Sequence, residues 1–427
     1  MKLSNLSFEN YKIFQKRESI EVKPLTILIG RNSSGKSVIS RLPLLIAHAL
    51  SERANSPIEL EIEGLDFGAS FVDLIYNRFP HGAVGIGASF IDDKGQTVDF
   101  WVKIQHFDEY RLQLISRFEL RERGKPKLTL SWIGKEPLDE RRLYRLEETG
   151  QKCQVYFRGF WPEKIQLIDN NKKESLPLAA ISIKGYRAYL AEGMALMNYL
   201  GPFRKEPQRT YRFPGGILHN VGLSGSKTAE LLGDDFLRRK GKVLEAVGKW
   251  FSDYLGGSEL SLSKQGDVFS LVMKNPDNPA LEINLADVGT GIAQILPIVV
   301  QRQFETLTGK NSDLEIVEQP ELHLHPSANG HLADLYIEAA KHSDSRFIIE
   351  THSENFLLRI RRRIAEKRFE SNQVIIYWIN DAPNLGKRIQ TIQIQENGDV
   401  DKWPQGVFSE DFEEVKAIRK AQKEFWK

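Results

Sequence analysis

The stretch Gly30 to Ser37 reads GRNSSGKS, and its residue types at that spacing suit one piece of chemistry. Glycines let a backbone curl so that successive N–H groups face inward, where phosphate oxygens can accept from them. Lys36 can reach terminal phosphates, and the Ser37 hydroxyl can ligate Mg²⁺. A helix starting just after the loop adds its partial positive charge. Such a loop needs a strand before it and a helix behind it. The run LTILI precedes it, and a helical pattern begins near Lys36. Gly30, Arg31, Asn32, Ser33, Ser34, Gly35, Lys36 and Ser37 are therefore expected to cradle the phosphates of a nucleoside triphosphate.

That chemistry also needs a carboxylate at the end of a hydrophobic strand to hold the ion, usually through water. DLEIVEQPELHLHP supplies such a strand, ending at Glu318. RFIIETHSENF supplies another, ending in Glu350, Thr351 and His352. Upstream, NLADVGTGIAQILPIV places Gly289, Thr290 and Gly291 directly before an apolar helix, again an anion-cradling design.

The elements that must position these residues follow from patterning. Residues 1–56 read as strands followed by a helix, the first part of a nucleotide-binding core. Residues 57–160 alternate in short segments such as VDFWVKIQHF and KLTLSWIG, separated by DDKG and RGKP, as in an antiparallel meander. Residues 161–257 look mostly helical. From 258 to 427 strand and helix alternate, which argues for a parallel sheet covered by helices. The expected fold class is thus α/β, with a split core and an inserted lobe of β-meander plus helices.

Composition narrows the class further. A hydrophobic fraction of 41% and a charged fraction of 27% are those of an ordinary globular protein, and a net charge of +2 excludes a polybasic tail. The single Cys153 rules out an internal disulfide. The start alternates like a strand without the apolar core of a signal peptide, and the longest apolar runs, LPLLIAHAL and IAQILPIVV, are too short to span a bilayer. A cytoplasmic protein without a membrane partner is the expectation.

Taken together, FENYKIF…LTILIGRNSSGKS, DVGTGIAQILPIV, EQPELHLHP and ETHSENFLLRI resemble the ATP-binding-cassette-class P-loop ATPases of the RecF, SMC and OLD type. The likeness is nearest to stand-alone bacterial AAA-family ATPases linked to anti-phage defence. It covers about 1–55 and 285–427 well and the middle thinly. The resemblance implies ATP and Mg²⁺, with Gly30 to Ser37 as phosphate loop and Ser37 and Glu318 on the metal. It makes Gly289, Thr290 and Gly291 the signature turn that reaches across a dimer, and His352 the switch histidine. Gln319 stands where the water-activating Glu is expected. The lid-loop glutamine stays unassigned, with Asn77 as a candidate.

Glu318 in place of Asp keeps the charge, but an amide at 319 cannot take a proton from water, although it can orient one. Three accounts stand open. Hydrolysis is slow around a long-lived ATP dimer, or Glu318 or Glu350 is the base, or ATP is purely structural.

Lesser signals have plainer readings. His323 and His325 shape a turn rather than bind metal. The run Arg359 to Arg368 reads as a solvated face, with phosphate-backbone contact as the alternative. Arg204, Arg209 and Tyr211 either reach the nucleotide or inserted lobe or pair within the fold. Phe412, Val415, Ile418 and Phe425 form a docking face on a terminal helix. The functional expectation is an ATPase subunit of a defence complex, an ATP-sandwiched homodimer or higher oligomer. It would control a separate effector protein such as a nuclease, since no acidic toprim-like triad follows His352. The alternatives are a RecF-like repair ATPase that binds DNA and a non-hydrolysing scaffold.

Overall fold

The computed structural model describes the chain apart from residues 135, 139–141, 170–171, 176, 276–277, 381–387, 404–409 and 426–427. It divides into two compact units that alternate along the sequence, and together they make a mixed α/β protein.

The first unit takes Met1–Lys23, Ser37–Met197 and Ser312–Leu314. Its centre is a ten-stranded sheet running in chain order from Ala83–Ile91 to Lys172–Ser175, with Lys2–Glu9 and Glu18–Glu21 added at the other side. The pairings given for it are antiparallel. Alternation builds this sheet: in Thr97–Phe107 nearly every second side chain is buried. Gly95 and Gly124 take positive φ at two of the hairpin turns. Trp161 packs edge-on against Phe118 at 5.1 Å and against Phe100 at 5.9 Å. Its indole N–H donates to the Ile183 carbonyl at 3.0 Å, in the helix Pro177–Glu192.

Two features differ from the pattern reading. The sheet does not stop near 160, because Trp161–Asp169 and Lys172–Ser175 continue it where helix was expected. In addition, Lys2–Glu9 and Glu18–Glu21 join this sheet and not the core that holds the phosphate loop. Lys2–Glu9 is only partly buried, which suits an antiparallel sheet with one wet face, whereas Leu25–Gly30 is buried almost throughout.

The second unit takes Pro24–Lys36, Asn198–Asn311 and Glu315–Lys427. Its six-stranded sheet has the order Met197–Leu200, Leu314–Glu318, Arg346–Glu350, Leu25–Gly30, Val374–Ile379, Ile389–Ile392. Leu25–Gly30 pairs in parallel with both neighbours. A single N-terminal strand is therefore inserted between strands from the far end of the chain. Helices Thr290–Thr308, Pro326–His342 and Glu354–Ala365 contribute Ile295, Val299, Leu332, Tyr336, Phe356 and Ile360 to the core over it. A separate small sheet contains Tyr211–Arg212, Glu259–Gln265, Val268–Asn275 and Asn278–Asn284.

A buried polar network ties the helix Thr290–Thr308 to the core strands. The Arg302 guanidinium pairs with Glu305 and Glu315, and the Tyr336 hydroxyl donates to Glu315 at 3.2 Å. Asn198 and Gln301 donate to Glu305 at 2.8 and 2.7 Å. Two carboxylates share one arginine here, and burial pushes Glu315 up to about 7.

The arginine run is largely consumed within the fold. Arg359 and Arg363 pair with Asp334, Arg361 donates to the Gly398 carbonyl, and Arg362 pairs with Glu366. On the terminal helix Glu410–Phe425, Val415 and Ile418 are exposed, so they do not dock on the core; the side chains of Phe412 and Phe425 lie outside the described residues. Among the described residues no helix is long and apolar enough to cross a membrane.

Candidate nucleotide site

The strand Leu25–Gly30 ends at the loop and the helix Lys36–Ser40 begins behind it. Gly30 has φ +153, and a Cβ there would lie 2.5 Å from the Ile379 carbonyl oxygen and 2.8 Å from Ser34 Oγ. No other residue fits. Ser33 and Gly35 also take positive φ, which curls the loop. Arg31, Asn32 and Ser33 are exposed, whereas Lys36 is 3% exposed. Its ammonium donates to the carbonyls of Gly30 at 3.0 Å and Arg31 at 2.7 Å and lies 3.8 Å from Glu350 Oε1. Burial lowers the Lys36 pKa, against the raising pull of Glu350, Glu321 and Glu318. Ser37 follows in the first turn of the helix.

Glu318 and Glu350 end strands on the same side of the loop strand, and both are buried. Just past Glu318 the chain turns sharply. Gln319 takes the left-handed conformation at φ 46, which costs a non-glycine residue about 1 kcal/mol or more. The conformation is held from both ends. The Gln319 N–H donates to the Glu350 carbonyl at 2.7 Å, and its carbonyl accepts from Arg204 at 3.2 Å. Arg204 also donates to the Glu318 carbonyl at 2.8 Å, and burial pushes this guanidinium down to about 10. Of the lesser arginines, Arg204 thus braces the turn, while Arg209 pairs with Asp287 at 2.7 Å.

Glu321 accepts from the His352 main-chain N–H at 2.5 Å. The His352 ring is pushed down to about 4, by burial first and then by Lys36. The imidazole is therefore neutral at ordinary pH, with one N–H to give. Ser34 Oγ, Glu321 Oε2 and His352 Nε2 are enclosed without a hydrogen-bond partner. Of these, the Ser34 hydroxyl and the His352 ring, beside an ammonium that turns back on its own loop, fit a polar, anionic guest, whereas the Glu321 oxygen calls for a donor or a cation. The carboxylates fit Mg²⁺ only as part of such a guest. Among the described residues no group of three or more His, Cys, Asp or Glu could hold a metal, so phosphates and water would have to complete the shell.

The turn expected to act as signature lies at the start of Thr290–Thr308, with Gly289 and Thr290 exposed. Gly291 approaches the next motif so closely that a Cβ would sit 2.5 Å from the His323 carbonyl. His325 accepts from the Ser327 N–H and caps Pro326–His342, a structural role. Asn77 lies in the first unit with left-handed backbone at φ 56.

A profile described as AAA ATPase domain matches residues 1–95 and 250–357. An OLD nuclease from Thermus scotoductus is 20% identical over 368 residues, 83% of this chain and 59% of that protein. Residues 1–95 and 250–357 thus match an AAA ATPase domain, in a chain similar to an OLD nuclease. The ATPase therefore spans only part of the OLD nuclease's length. Its fold also resembles an Smc head bound to the C-terminal winged-helix domain of ScpA, at 14% identity and TM-score 0.48, covering 93% of this chain and 99% of that one. The SMC head domain from Thermotoga maritima aligns at 12% identity and TM-score 0.42, covering 92% and 100%.

Sequence reasoning overlooked Glu321 in this ATPase. The residue sits in the quoted motif, three positions after Glu318, but nothing local says that its carboxylate reaches the loop after the neighbouring strand. Only the pairing of the Glu318 and Glu350 strands brings that loop within reach.

Proposed function

We propose that this ATPase binds ATP with Mg²⁺, closes as a homodimer over two nucleotides, and turns them over slowly. In this reading it is the sensor and regulatory subunit of an anti-phage defence complex and controls a separate effector such as a nuclease. The observation that carries it is the convergence of a complete phosphate loop, two buried strand-end carboxylates and a neutral, unpartnered histidine on one sheet edge. Loop amides would take the phosphate oxygens, and Lys36 would exchange its own loop carbonyls for the terminal phosphates. His352 would give one N–H to the transferred group without adding charge. Ser37 and Glu318 would hold the ion, which neutralises phosphate charge when bound.

Slow turnover follows from Gln319. Its amide can orient a water but cannot take the proton, and both of its main-chain polar groups are already engaged. Glu350 is a weak substitute base, because its carboxylate already lies 3.8 Å from the Lys36 ammonium. Exposure of Gly289 and Thr290 in the single chain supports their being offered to a second copy. The effector is proposed from the OLD nuclease relative, whose length this chain covers only in part. The DNA-repair alternative loses ground, since Arg359, Arg361, Arg362 and Arg363 all have partners within the fold.

Light scattering on the purified protein with and without ATP, beside a turnover assay, tests the reading. Mass should double with ATP·Mg²⁺, stay monomeric in Thr290→Arg, and accompany slow phosphate release. A monomer at every ATP concentration, or fast release retained in Glu318→Ala, would falsify it.

A further inference from the structure

The loop that carries His352 is anchored through its main chain. Thr351 N–H donates to the Leu28 carbonyl in the phosphate-loop strand at 3.1 Å, and Ser353 N–H donates to Thr351 Oγ1 at 3.0 Å. Between them, His352 N–H donates to Glu321 Oε1 at 2.5 Å. The ring has no comparable anchor, because its Nε2 is enclosed and unpartnered. The position from which the imidazole projects is therefore set by its backbone, and Glu321 holds that backbone from across the strand ends.

The turn that presents Glu321 is built for the purpose. Leu322 N–H closes on the Gln319 carbonyl at 3.2 Å and Leu324 N–H on the Glu321 carbonyl at 3.0 Å, between left-handed residues Gln319 and His323. The link also has a reciprocal. Gln319 N–H donates to the Glu350 carbonyl at 2.7 Å, so each strand end holds the segment that follows the other. An amide-to-carboxylate bond of this length is charge-assisted and stronger than a neutral one.

We propose that Glu321 is a positioning residue for ATP hydrolysis: its carboxylate fixes the His352 main chain and so aims the imidazole at the transferred phosphate. The inference rests on the hydrolysis reading above. It also joins the two halves of the site, because the tie runs from the segment after the metal strand to the loop bonded to the phosphate-loop strand. Any shift of the turn on nucleotide binding would be passed directly to the histidine.

Turnover and ATP affinity of the full chain test this in Glu321→Ala and Glu321→Gln. The glutamine keeps an acceptor oxygen for the His352 amide, and alanine does not. Loss of aim of the order of 1 Å predicts a fall in kcat of about 10- to 100-fold in Glu321→Ala, with KM and ATP affinity within about threefold of wild type. Glu321→Gln should recover most of kcat. Adding His352→Ala to Glu321→Ala should cost little more, since both act through one group.

Three results would overturn the proposal: wild-type kcat in Glu321→Ala, losses that multiply in the double variant, or a Glu321→Gln protein that binds ATP but is as inactive as alanine. The last would make Glu321 a proton acceptor. Histidine-selective ¹⁵N labelling reads the tie independently of turnover. A downfield His352 amide proton is expected in wild type and Glu321→Gln and absent in Glu321→Ala. If wild type shows that resonance but releases no phosphate, the hydrolysis reading fails and the tie stands. If the resonance is the same in all three proteins, the tie itself is wrong.

Discussion

The two sheets of this protein solve the same burial problem with different chemistry. The ten-stranded sheet of the first unit is held by alternation and aromatic packing, with Trp161, Phe100 and Phe118 at its centre. The six-stranded sheet of the second unit buries Lys36, Arg204, Arg302, Glu315, Glu318 and Glu350. It also bends Gln319 and His323 into left-handed backbone at one end. Apolar packing needs only shape and area. Buried charges need partners, and they are kept where local geometry matters more than net stability. The contrast implies that substitutions in the first sheet should be read in melting temperature, and those in the second in ligand affinity and pH dependence.

Trp161→Ala probes the first half of that contrast. Emptying the largest fully buried side chain should cost about 3–5 kcal/mol in denaturant unfolding, while the folded protein keeps its ATP affinity. A loss below ~1 kcal/mol would break the comparison on the packing side. Lys36→Ala probes the other half. ATP affinity should fall about 100-fold, equivalent to removing one or two charge-assisted bonds. A drop in melting temperature without nucleotide should accompany it, because the Gly30 and Arg31 carbonyls and the Glu350 carboxylate lose their cation. Unchanged nucleotide affinity would remove Lys36 from the site.

Arg204→Met should lie between the two, since it leaves the Glu318 and Gln319 carbonyls short of a donor. Chemical unfolding should show a loss of about 1–3 kcal/mol, with slower turnover at unchanged ATP affinity. The last effect concerns Glu315 and is read as a slope against pH. Its folded pKa is raised from 4.5 to about 7, so the unfolded chain releases this proton first as pH rises. Its contribution to stability is therefore present below 4.5, declines as pH climbs to about 7, and then levels off, by about 3 kcal/mol in all. Glu315→Gln should flatten that slope in melts between pH 5 and 8; an identical slope in both proteins would assign it to other groups.

Much of this architecture was legible because its signals are local. GRNSSGKS between an apolar strand and a helix needs no partner to be read. The alternation of Thr97–Phe107 shows a half-buried strand by itself. Local signals also explain the errors. WPEKIQLID falls in a stretch that reads as mostly helical, and only its pairing with Lys152–Arg158 and Lys172–Ser175 makes it a strand. SFENYKIF sits close before the phosphate loop in sequence, yet Lys2–Glu9 pairs with Ala83–Ile91 in the other sheet. Arginines that read as a solvated face turned out to be shared with Asp334, a residue of another helix.

The sequence by itself determined which residues can meet a phosphate, which strands are buried on both faces, and that position 319 carries an amide and not an acid. Those are properties of side-chain type and of periods within a few residues. Tertiary structure alone decided that Glu321 reaches the His352 main chain, that Arg204 braces the Gln319 turn, and that Arg302 pairs with Glu315 of a core strand. Each of these depends on which strands lie side by side, and a contact between residues distant in the chain leaves no periodic trace in either segment.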